Sequence, residues 1–472
     1  MEGDTIAGIA SGMGGGIGII RVSGPDAFFA VGRIFRTKKY LDSFSEKEEK
    51  EWDEEYFLKK DSHTIQYGFI VNEKSEVIDE VIVLLMKSPR SYTREDVIEI
   101  DSHGGALVLQ KILKCLLSAG VRLAEPGEFT KRAFLHGRMD LSQAEAVMKM
   151  ISSKSEFALD TAVKQLEGSL SRYIGEIREA LLYHMGEIEA ALDDPEHYSL
   201  DGYSEKLEKV IGEQLLRLEK LLKNFDNGRM WSEGIQTVIV GKPNAGKSSL
   251  MNLLLDEERA IVTNVAGTTR DILEESFRLG DLVLNLVDTA GIHETEDTVE
   301  SIGVKKAVDY LNQADFVIYV VDILDHFNRE DEEIISLLKN KKGVILLNKS
   351  DLETDASMNS ELFDMLGWKQ ITFSAKEGLG LYELEEYITE LFLQGDISYN
   401  DQVYLTNLRH KEAVEHAQES LNQVLCAIQD GMPEDVLMVD LMDAYSSLGL
   451  ISGETASEDL VNKIFEEFCM GK

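Results

Sequence analysis

The chain has 472 residues, of which 43% are hydrophobic, and a chain of this length divides into two or three domains instead of folding around one core. It carries 86 acidic and 48 basic residues, a formal net charge of -38, which excludes a protein that coats nucleic acid by charge alone, because phosphate contacts need lysine and arginine. The three cysteines, Cys115, Cys426 and Cys469, lie far apart without a Cys-x-x-Cys spacing, so we expect neither a disulfide framework nor a zinc site.

The amino-terminal segment predicts no export signal, because no basic stretch precedes an apolar one. No run of about 18 uncharged apolar residues, the length that crosses a bilayer as a helix, occurs in the sequence. We interpret the chain as a soluble, unprocessed protein of the reducing cytoplasm that spans no membrane.

The first part of the chain, residues 1–120, predicts an α+β domain. Short apolar runs typical of strands occur at 16–24, 65–71 and 77–87, and one helical pattern follows at 106–120.

Helical periodicity replaces this pattern from Ser142 onward, with an interruption at Pro195, and returns in the tail of the chain. We therefore predict one helical domain in two parts, residues 121–230 and 386–472, the second part ending in a Cys-Met-Gly-Lys motif.

An α/β domain, residues 231–385, is predicted between the two helical parts. Short apolar runs separated by helix-length stretches indicate a mostly parallel sheet. These runs lie at 236–241, 282–288, 316–322, 343–349 and 371–375. The α/β domain is then an insertion in the helical domain.

A phosphate-binding loop is indicated by Gly241–Ser248, which has the pattern G-x-x-x-x-G-K-S directly after a predicted strand. Its glycines let backbone N–H groups point at phosphates, Lys247 neutralises the β and γ oxygens, and the Ser248 hydroxyl ligates Mg²⁺. An ordinary glycine-rich turn is the alternative. The strand before the loop and a helix expected to begin near Ser249 are the context that a phosphate loop requires.

Three further motifs follow in the order expected of an enzyme that uses guanine nucleotides. Asp288–Gly291 places a carboxylate to hold Mg²⁺ through water and a backbone N–H at the γ-phosphate. In Asn348–Asp351, the Asp351 carboxylate can accept both the N1–H and the exocyclic amine protons of guanine. Ser374–Lys376 fits the last guanine loop. The predicted GTP or GDP contacts are Asn244, Ala245, Gly246, Lys247, Ser248, Ser249, Asp288, Thr289, Ala290, Gly291, Asn348, Lys349, Asp351, Ser374 and Ala375.

The segment Ala266–Asp271 resembles the first switch of the bacterial GTPases that include MnmE and Era. Many small GTPases carry a glutamine after Asp-x-x-Gly to orient the attacking water, and Ile292 in that place cannot do so. The resemblance implies a second Mg²⁺ ligand, Thr269, beside Ser248. It also implies a potassium ion, bound in G domains that dimerise across their nucleotide faces. The implied potassium ligands are Asn244, Thr263, Val265 and Thr268, and Thr263, Thr268 and Thr269 join the nucleotide site.

A monovalent cation beside the β–γ bridge can offset the charge that develops on the leaving oxygens. The same resemblance implies that Lys247 and Glu300 are the catalytic residues, with Glu300 orienting the water. The alternative for Glu300 is one more exposed carboxylate in an acidic segment.

The flanking segments resemble those of the MnmE (TrmE) family over essentially the whole chain. The segments that carry this resemblance are 4–24, 93–105, 124–147 and 464–472. The resemblance implies that the first domain dimerises and binds a one-carbon tetrahydrofolate, in the 5,10-methylene or 5-formyl form, through Arg21, Glu99, Arg138 and Lys472. A carboxylate can accept the amide and amine protons of a pterin, and glutamyl carboxylates need arginine or lysine. Without the resemblance, each of these residues reads as a surface charge or a structural salt bridge.

Cys469 lies in the terminal motif of the same family. A free thiol near a one-carbon unit could act as a nucleophile, whereas a lone cysteine without a nearby histidine is more often a packing residue. We leave both roles open.

The resemblance implies a homodimeric, potassium-stimulated GTPase that acts with a flavin-dependent partner, MnmG (GidA), in a heterotetramer. This complex would install an aminomethyl or carboxymethylaminomethyl group on C5 of the wobble uridine of tRNA. The alternative is a regulatory switch GTPase in ribosome assembly or stress signalling that performs no modification chemistry.

Overall fold

The structure is a computed structural model of the chain. It describes residues 3–45, 52–223, 225–255, 274–280, 282–287, 310–325, 328–339, 341–352, 366–393, 403–466, 468 and 471. The chain divides into two compact units, and each is discontinuous in sequence. The first comprises Met1–Met148, Gln165–Arg178 and Tyr445–Lys472, and the second Lys149–Lys164 and Glu179–Ala444.

The amino-terminal region alternates strands and helices. Its elements are β1 (Ile6–Ile9), β2 (Ile17–Ser23), α1 (Ala27–Ile34), β3 (Phe35–Arg36), α2 (Lys38–Ser45), β4 (Thr64–Val71), β5 (Val77–Met86), β6 (Val97–His103), α3 (Ala106–Ser118), β7 (Arg122–Leu123) and α4 (Glu128–Leu135).

Long helices follow, and a second group of strands lies among the later ones. These elements are α5 (Leu141–Ser152), α6 (Glu156–Leu166), α7 (Ser169–Asp193), α8 (Tyr203–Lys223), α9 (Phe225–Glu233), β8 (Ile235–Val240), α10 (Lys247–Leu254), β9 (Glu274–Leu279), β10 (Leu282–Val287), β11 (Phe316–Asp322), α11 (Arg329–Leu338), β12 (Gly343–Asn348), β13 (Lys369–Thr372), α12 (Leu381–Leu393), α13 (Leu408–Gln429), α14 (Glu434–Ser452) and α15 (Glu458–Glu466).

The first unit contains a seven-stranded sheet in the order β3-β4-β5-β6-β2-β1-β7. Neighbouring strands run antiparallel except β1 and β7. Helices α1 and α3 pack on it around a buried core that includes Val22, Phe28 and Leu109. Because side chains alternate between the two faces of a strand, register decides which polar residues share a face. Arg21 of β2 lies opposite Glu99 of β6.

A smaller core in the same unit joins sequence segments from the two ends of the chain. Ala133 of α4 and Leu141 of α5 pack in one buried cluster with Phe465 of α15 and with Phe468. The rings of Phe465 and Phe468 lie 4.8 Å apart. The first unit is therefore completed by residues from the carboxyl-terminal region.

The second unit contains a six-stranded sheet in the order β13-β12-β11-β8-β10-β9. All neighbours are parallel except β9 and β10. Residues 316–321 of β11 are buried, as expected for a parallel strand that is covered on both faces. The mostly parallel α/β sheet and its five predicted strands are confirmed. β9 was not predicted, because its sequence, EESFRL, mixes charged and apolar residues.

The predicted helical character of the regions that flank the α/β sheet is also confirmed. Helix α7 ends at Asp193, just before Pro195, which cannot continue a helix. Helix α8 packs against α13 and buries one face that includes Leu207, Ile211 and Leu218. No helix within the described ranges is long and apolar enough to cross a membrane.

Candidate functional site

The phosphate-loop sequence forms a turn between β8 and α10 that requires glycine at two positions. Gly241 has φ 151°, and a Cβ there would lie 2.2 Å from the carbonyl oxygen of Val320. Gly246 has φ 101° and forms the N-cap of α10, and its Cβ would lie 2.0 Å from Nδ2 of Asn348. Any other residue would be strained at either position and would collide with a neighbour.

The loop orders its own lysine. Lys247 Nζ donates to the carbonyl oxygens of Gly241 at 2.7 Å and Lys242 at 2.8 Å. An ammonium has three donors, so these two bonds fix where the head group lies at the amino end of α10. Ser248 and Asn244 are exposed on the same loop, and helix α10 begins at Lys247, close to the predicted start. The geometry suits an anion at a helix amino terminus.

The guanine motifs meet the phosphate loop through one buried amide. Asn348 is 2% exposed at the end of β12, and its Nδ2 donates to the carbonyl oxygen of Ala245 at 2.8 Å. Its Oδ1 accepts from the backbone N–H of Ala375 at 2.9 Å. Since the carboxyl ends of parallel strands lie at one edge of a sheet, three separated motifs come together here.

Asp351 and Ser374 are also brought together. The Ser374 hydroxyl donates to Oδ1 of Asp351 at 2.7 Å, and this hydrogen bond is the leading cause that holds the pKa of the Asp351 carboxyl below its usual range. Asp351 is therefore an acceptor at neutral pH, as recognition of the guanine N1–H and amine would require.

Asp322, the last residue of β11, belongs to this edge and was not predicted from the sequence. Its Oδ2 lies 2.6 Å from Nζ of the predicted residue Lys349, which adopts φ 68°. A carboxylate that ends a buried apolar strand, next to the strand that carries the guanine motif, was the available signal.

Several predicted residues lie outside the part of the chain that the structure describes. They are Thr263, Val265, Thr268, Thr269, Asp288, Thr289, Ala290, Gly291, Glu300, Cys469 and Lys472. The described residues contain no group of three or more histidine, cysteine, aspartate or glutamate side chains placed to hold a metal. The predicted Mg²⁺ ligand Ser248 carries a hydroxyl group.

A second site in the first unit gathers three of the four predicted folate residues. Arg21, Glu99 and Arg138 line a pocket of about 540 Å³ together with Tyr92. Arg21 Nε donates to Glu99 Oε1 at 2.7 Å, while the Arg21 guanidinium lies 5.0 Å from the Tyr92 ring centre. Arg138 lies over the same ring at 4.6 Å.

One atom of this pocket has no partner among the residues that the structure describes. Nη1 of Arg21 is buried, and none of the described residues accepts a hydrogen bond from it. A buried guanidinium donor left without an acceptor is costly, so this atom suits an acceptor supplied by a ligand. Arg21 thus combines a fixed orientation with one unsatisfied donor.

The carboxyl-terminal segment reaches the same unit. Gly471 is buried with φ 88°, and a Cβ there would lie 2.0 Å from the carbonyl oxygen of Ile9. Ile9 ends β1, and Gly8 in that strand is the register partner of Arg21. Gly471, which precedes the predicted ligand Lys472 in the sequence, therefore contacts the strand that pairs with the strand of Arg21.

Solved structures resemble part of the chain. The G domain of the T. maritima FeoB iron transporter is 30% identical and covers 34% of this chain and 99% of its own, with a TM-score of 0.26. A variant of Aquifex aeolicus Era bound to GDP and AlF4⁻ is 26% identical and covers 39% of this chain and 66% of its own, with a TM-score of 0.27.

Sequence relatives match the whole chain. The tRNA modification GTPase MnmE of Lachnoclostridium phytofermentans is 51% identical over 100% of both chains, and that of Acetivibrio thermocellus is 46% identical over 99% of both. The family profile described as "GTP-binding protein TrmE N-terminus" matches residues 5–138, and that described as "MnmE helical domain" matches residues 141–469. The chain belongs to the MnmE family of tRNA modification GTPases.

Proposed function

We propose that this chain is a potassium-stimulated GTPase that uses a one-carbon tetrahydrofolate to modify C5 of the wobble uridine of tRNA. The added group would be aminomethyl or carboxymethylaminomethyl, and the reaction would need the flavin-dependent partner MnmG. One observation supports the proposal: in a chain of the MnmE family, the predicted guanine motif at Asn348 contacts the phosphate loop, and a pocket contains a buried arginine donor that has no partner among the described residues.

The nucleotide site would bind GTP through the loop and the guanine edge. Lys247 would neutralise the β and γ oxygens, Ser248 and Thr269 would ligate Mg²⁺ with Asp288 acting through water, and Asp351 would select guanine. Because phosphoryl transfer depends on positioning and charge stabilisation, the glycine-built turn that holds Lys247 supports this role.

Potassium would supply the charge that an arginine finger supplies in other GTPases. Its ligands would be Asn244, whose side chain is exposed on the loop, together with Thr263, Val265 and Thr268. Glu300 would orient the water.

The first unit would bind the folate. Glu99 would accept hydrogen bonds from the amide and amine groups of the pterin. Arg21, Arg138 and Lys472 would contact the ligand's anionic or carbonyl oxygens. The pocket of about 540 Å³ is in the range of small-molecule sites. Cys469 would lie near the one-carbon unit, and we assign it no chemical step.

The assembly would be a homodimer that joins two MnmG subunits in a heterotetramer in the cytoplasm. With a net charge of -38, this chain would rely on its partner for much of the basic surface that tRNA requires. The domain limits that we propose are 1–120, 121–230, 231–385 and 386–472.

The test is steady-state GTP hydrolysis in KCl and in NaCl at matched ionic strength, with Asn244→Ala beside the wild type. The proposal expects marked potassium stimulation of the wild type and its loss in the variant. Equal, slow rates in both salts would instead favour a switch GTPase that needs an external activating protein.

A further inference from the structure

A second lysine of the phosphate loop forms ion pairs with two aspartates. Lys242 occupies the first variable position of Gly241–Ser248, and its side chain is only 11% exposed. Its Nζ pairs with Asp331 of α11 and, at 3.1 Å, with Oδ2 of Asp325. A lysine without a structural role on the loop would extend its side chain into water, because an ammonium group is strongly hydrated.

Asp331 is fixed from three sides. It is 2% exposed, and Oδ1 accepts from the Tyr319 hydroxyl of β11 at 2.8 Å. Oδ2 accepts from the backbone N–H of Asn328 at 3.0 Å, as part of the capping box that begins α11. The carboxylate therefore has one orientation, set by a strand and a helix terminus together.

The electrostatics favour a charged pair. Burial would lower the pKa of Lys242, but its hydrogen bonds with Asp331 and Asp325 outweigh burial and raise that pKa. A buried pair with satisfied partners is fixed in geometry, and removing one member leaves an uncompensated charge.

The backbone of the same residue contacts the catalytic lysine. The carbonyl oxygen of Lys242 accepts from Lys247 Nζ at 2.8 Å. Lys242 thus fixes the loop to α11 through its side chain and orders Lys247 through its carbonyl group.

We propose that Lys242 is a positioning residue for GTP: its ion pair with Asp331 anchors the phosphate loop to α11 and thereby holds Lys247 where the phosphates bind. The proposal rests on nucleotide binding at Gly241–Ser248. Lys242 itself does not touch the reacting atoms, and the ion pair acts through the shape of the loop.

The experiment measures mant-GDP affinity by fluorescence, in the full-length chain, for Lys242→Met, Asp331→Asn and the double variant. Each single variant is expected to bind about tenfold more weakly, equivalent to about 1.4 kcal/mol, and the double variant no more weakly than either. Lys369→Met is the control, because Lys369 lies on β13 of the same sheet and pairs with Glu383 at 3.4 Å. It is expected to bind as the wild type.

The result that overturns the proposal is unchanged affinity in Lys242→Met, or fully additive losses in the double variant. If Lys242→Met does not fold, Asp331→Asn and Tyr319→Phe carry the test, and wild-type affinity in both rejects it. A lower melting temperature with unchanged affinity would mark the pair as structural only and also reject it. A wild type that bound no mant-GDP would overturn the nucleotide site itself.

Discussion

Nδ2 of Asn348 donates to the carbonyl oxygen of Ala245 at 2.8 Å, so the strand end that carries the proposed base-recognition motif also holds the proposed phosphate loop. Gly246, next to Ala245, has no room for a side chain because Asn348 fills that space. The two proposed parts of the nucleotide site are thus in direct contact with each other.

Asn348→Ala is expected to weaken GTP affinity by about 10- to 100-fold, because two buried hydrogen bonds of about 1 kcal/mol each are lost. Titration with mant-GTP measures the effect. Asn285→Ala is the matched control, since Asn285 is also a buried amide in this sheet and donates to the carbonyl oxygen of Glu233 at 2.8 Å. It is expected to lower the melting temperature and leave affinity unchanged; equal affinity losses in both variants would contradict the assignment.

Asp351→Asn is expected to move base preference from GTP towards XTP. In the proposed site the carboxylate would accept hydrogen bonds from the guanine N1–H and amine, whereas an asparagine amide can donate to the carbonyl that xanthine carries instead of the amine. Competition between GTP and XTP for mant-GDP release measures the preference. An unchanged ratio of the two affinities would remove Asp351 from the guanine site.

Arg21→Ala is expected to weaken 5-formyltetrahydrofolate binding at least about tenfold, because it removes a charge-assisted donor and leaves Glu99 without its partner. Isothermal calorimetry measures binding. Arg33→Ala is the control, since Arg33 forms a comparable but exposed pair with Glu54. Basal GTP hydrolysis is expected to persist in both, and wild-type folate affinity in Arg21→Ala would reject this pocket as the folate site.

Glu300→Ala is expected to lower the rate of GTP hydrolysis about 100-fold and to leave GTP affinity unchanged. A carboxylate that orients the water acts on the chemical step and not on ground-state binding. Single-turnover hydrolysis and mant-GTP titration measure the two effects, with Glu296→Ala as the control in the same acidic segment. Full hydrolytic activity in Glu300→Ala would show that Glu300 does not orient the water and is one more carboxylate of the acidic segment.

Lowering the pH is expected to decrease the folding stability of the first unit through one cluster of ion pairs. This cluster comprises Asp4, Arg122, Glu128 and Arg132. Burial would raise the pKa of Glu128, but hydrogen bonds led by that from Arg122 hold the pKa below its usual range. A depressed folded-state pKa contributes stability above the unfolded value, about pH 4.3, and this stability is lost as the pH falls through the folded value.

The measurement for this cluster is hydrogen exchange in α4 across a pH series. Glu128→Gln is expected to exchange faster near neutral pH and to depend less on pH in the acid range. A variant with the wild-type pH dependence would show that other carboxylates govern the acid response.

The nucleotide motifs could be predicted because each is local: residues 241–248 carry the phosphate loop in consecutive positions, and the apolar runs beside them mark strands. The contact between Asn348 and Ala245 follows from parallel strands whose carboxyl ends share one edge.

The anchoring of Lys242 could not be predicted from the sequence. Asp331 lies in the acidic run 330–333, whose sequence is typical of solvated carboxylates, and only the packing of α11 against β11 distinguishes it. The same holds for Arg21 and Glu99. Their pairing depends on the strand register, and a pattern of apolar residues does not specify which residues of two strands lie opposite each other.

The core formed by Ala133, Leu141, Phe465 and Phe468 has a consequence for biosynthesis. Both phenylalanines leave the ribosome after every strand of the α/β sheet has been made, a delay on the order of tens of seconds at about 5–20 residues per second. During that interval Ala133 and Leu141 lack their phenylalanine partners, and β1 lacks its contact with Gly471. The core that joins α4 and α5 to α15 is therefore completed late in translation, and nascent chains that stall before α15 are expected to be chaperone substrates.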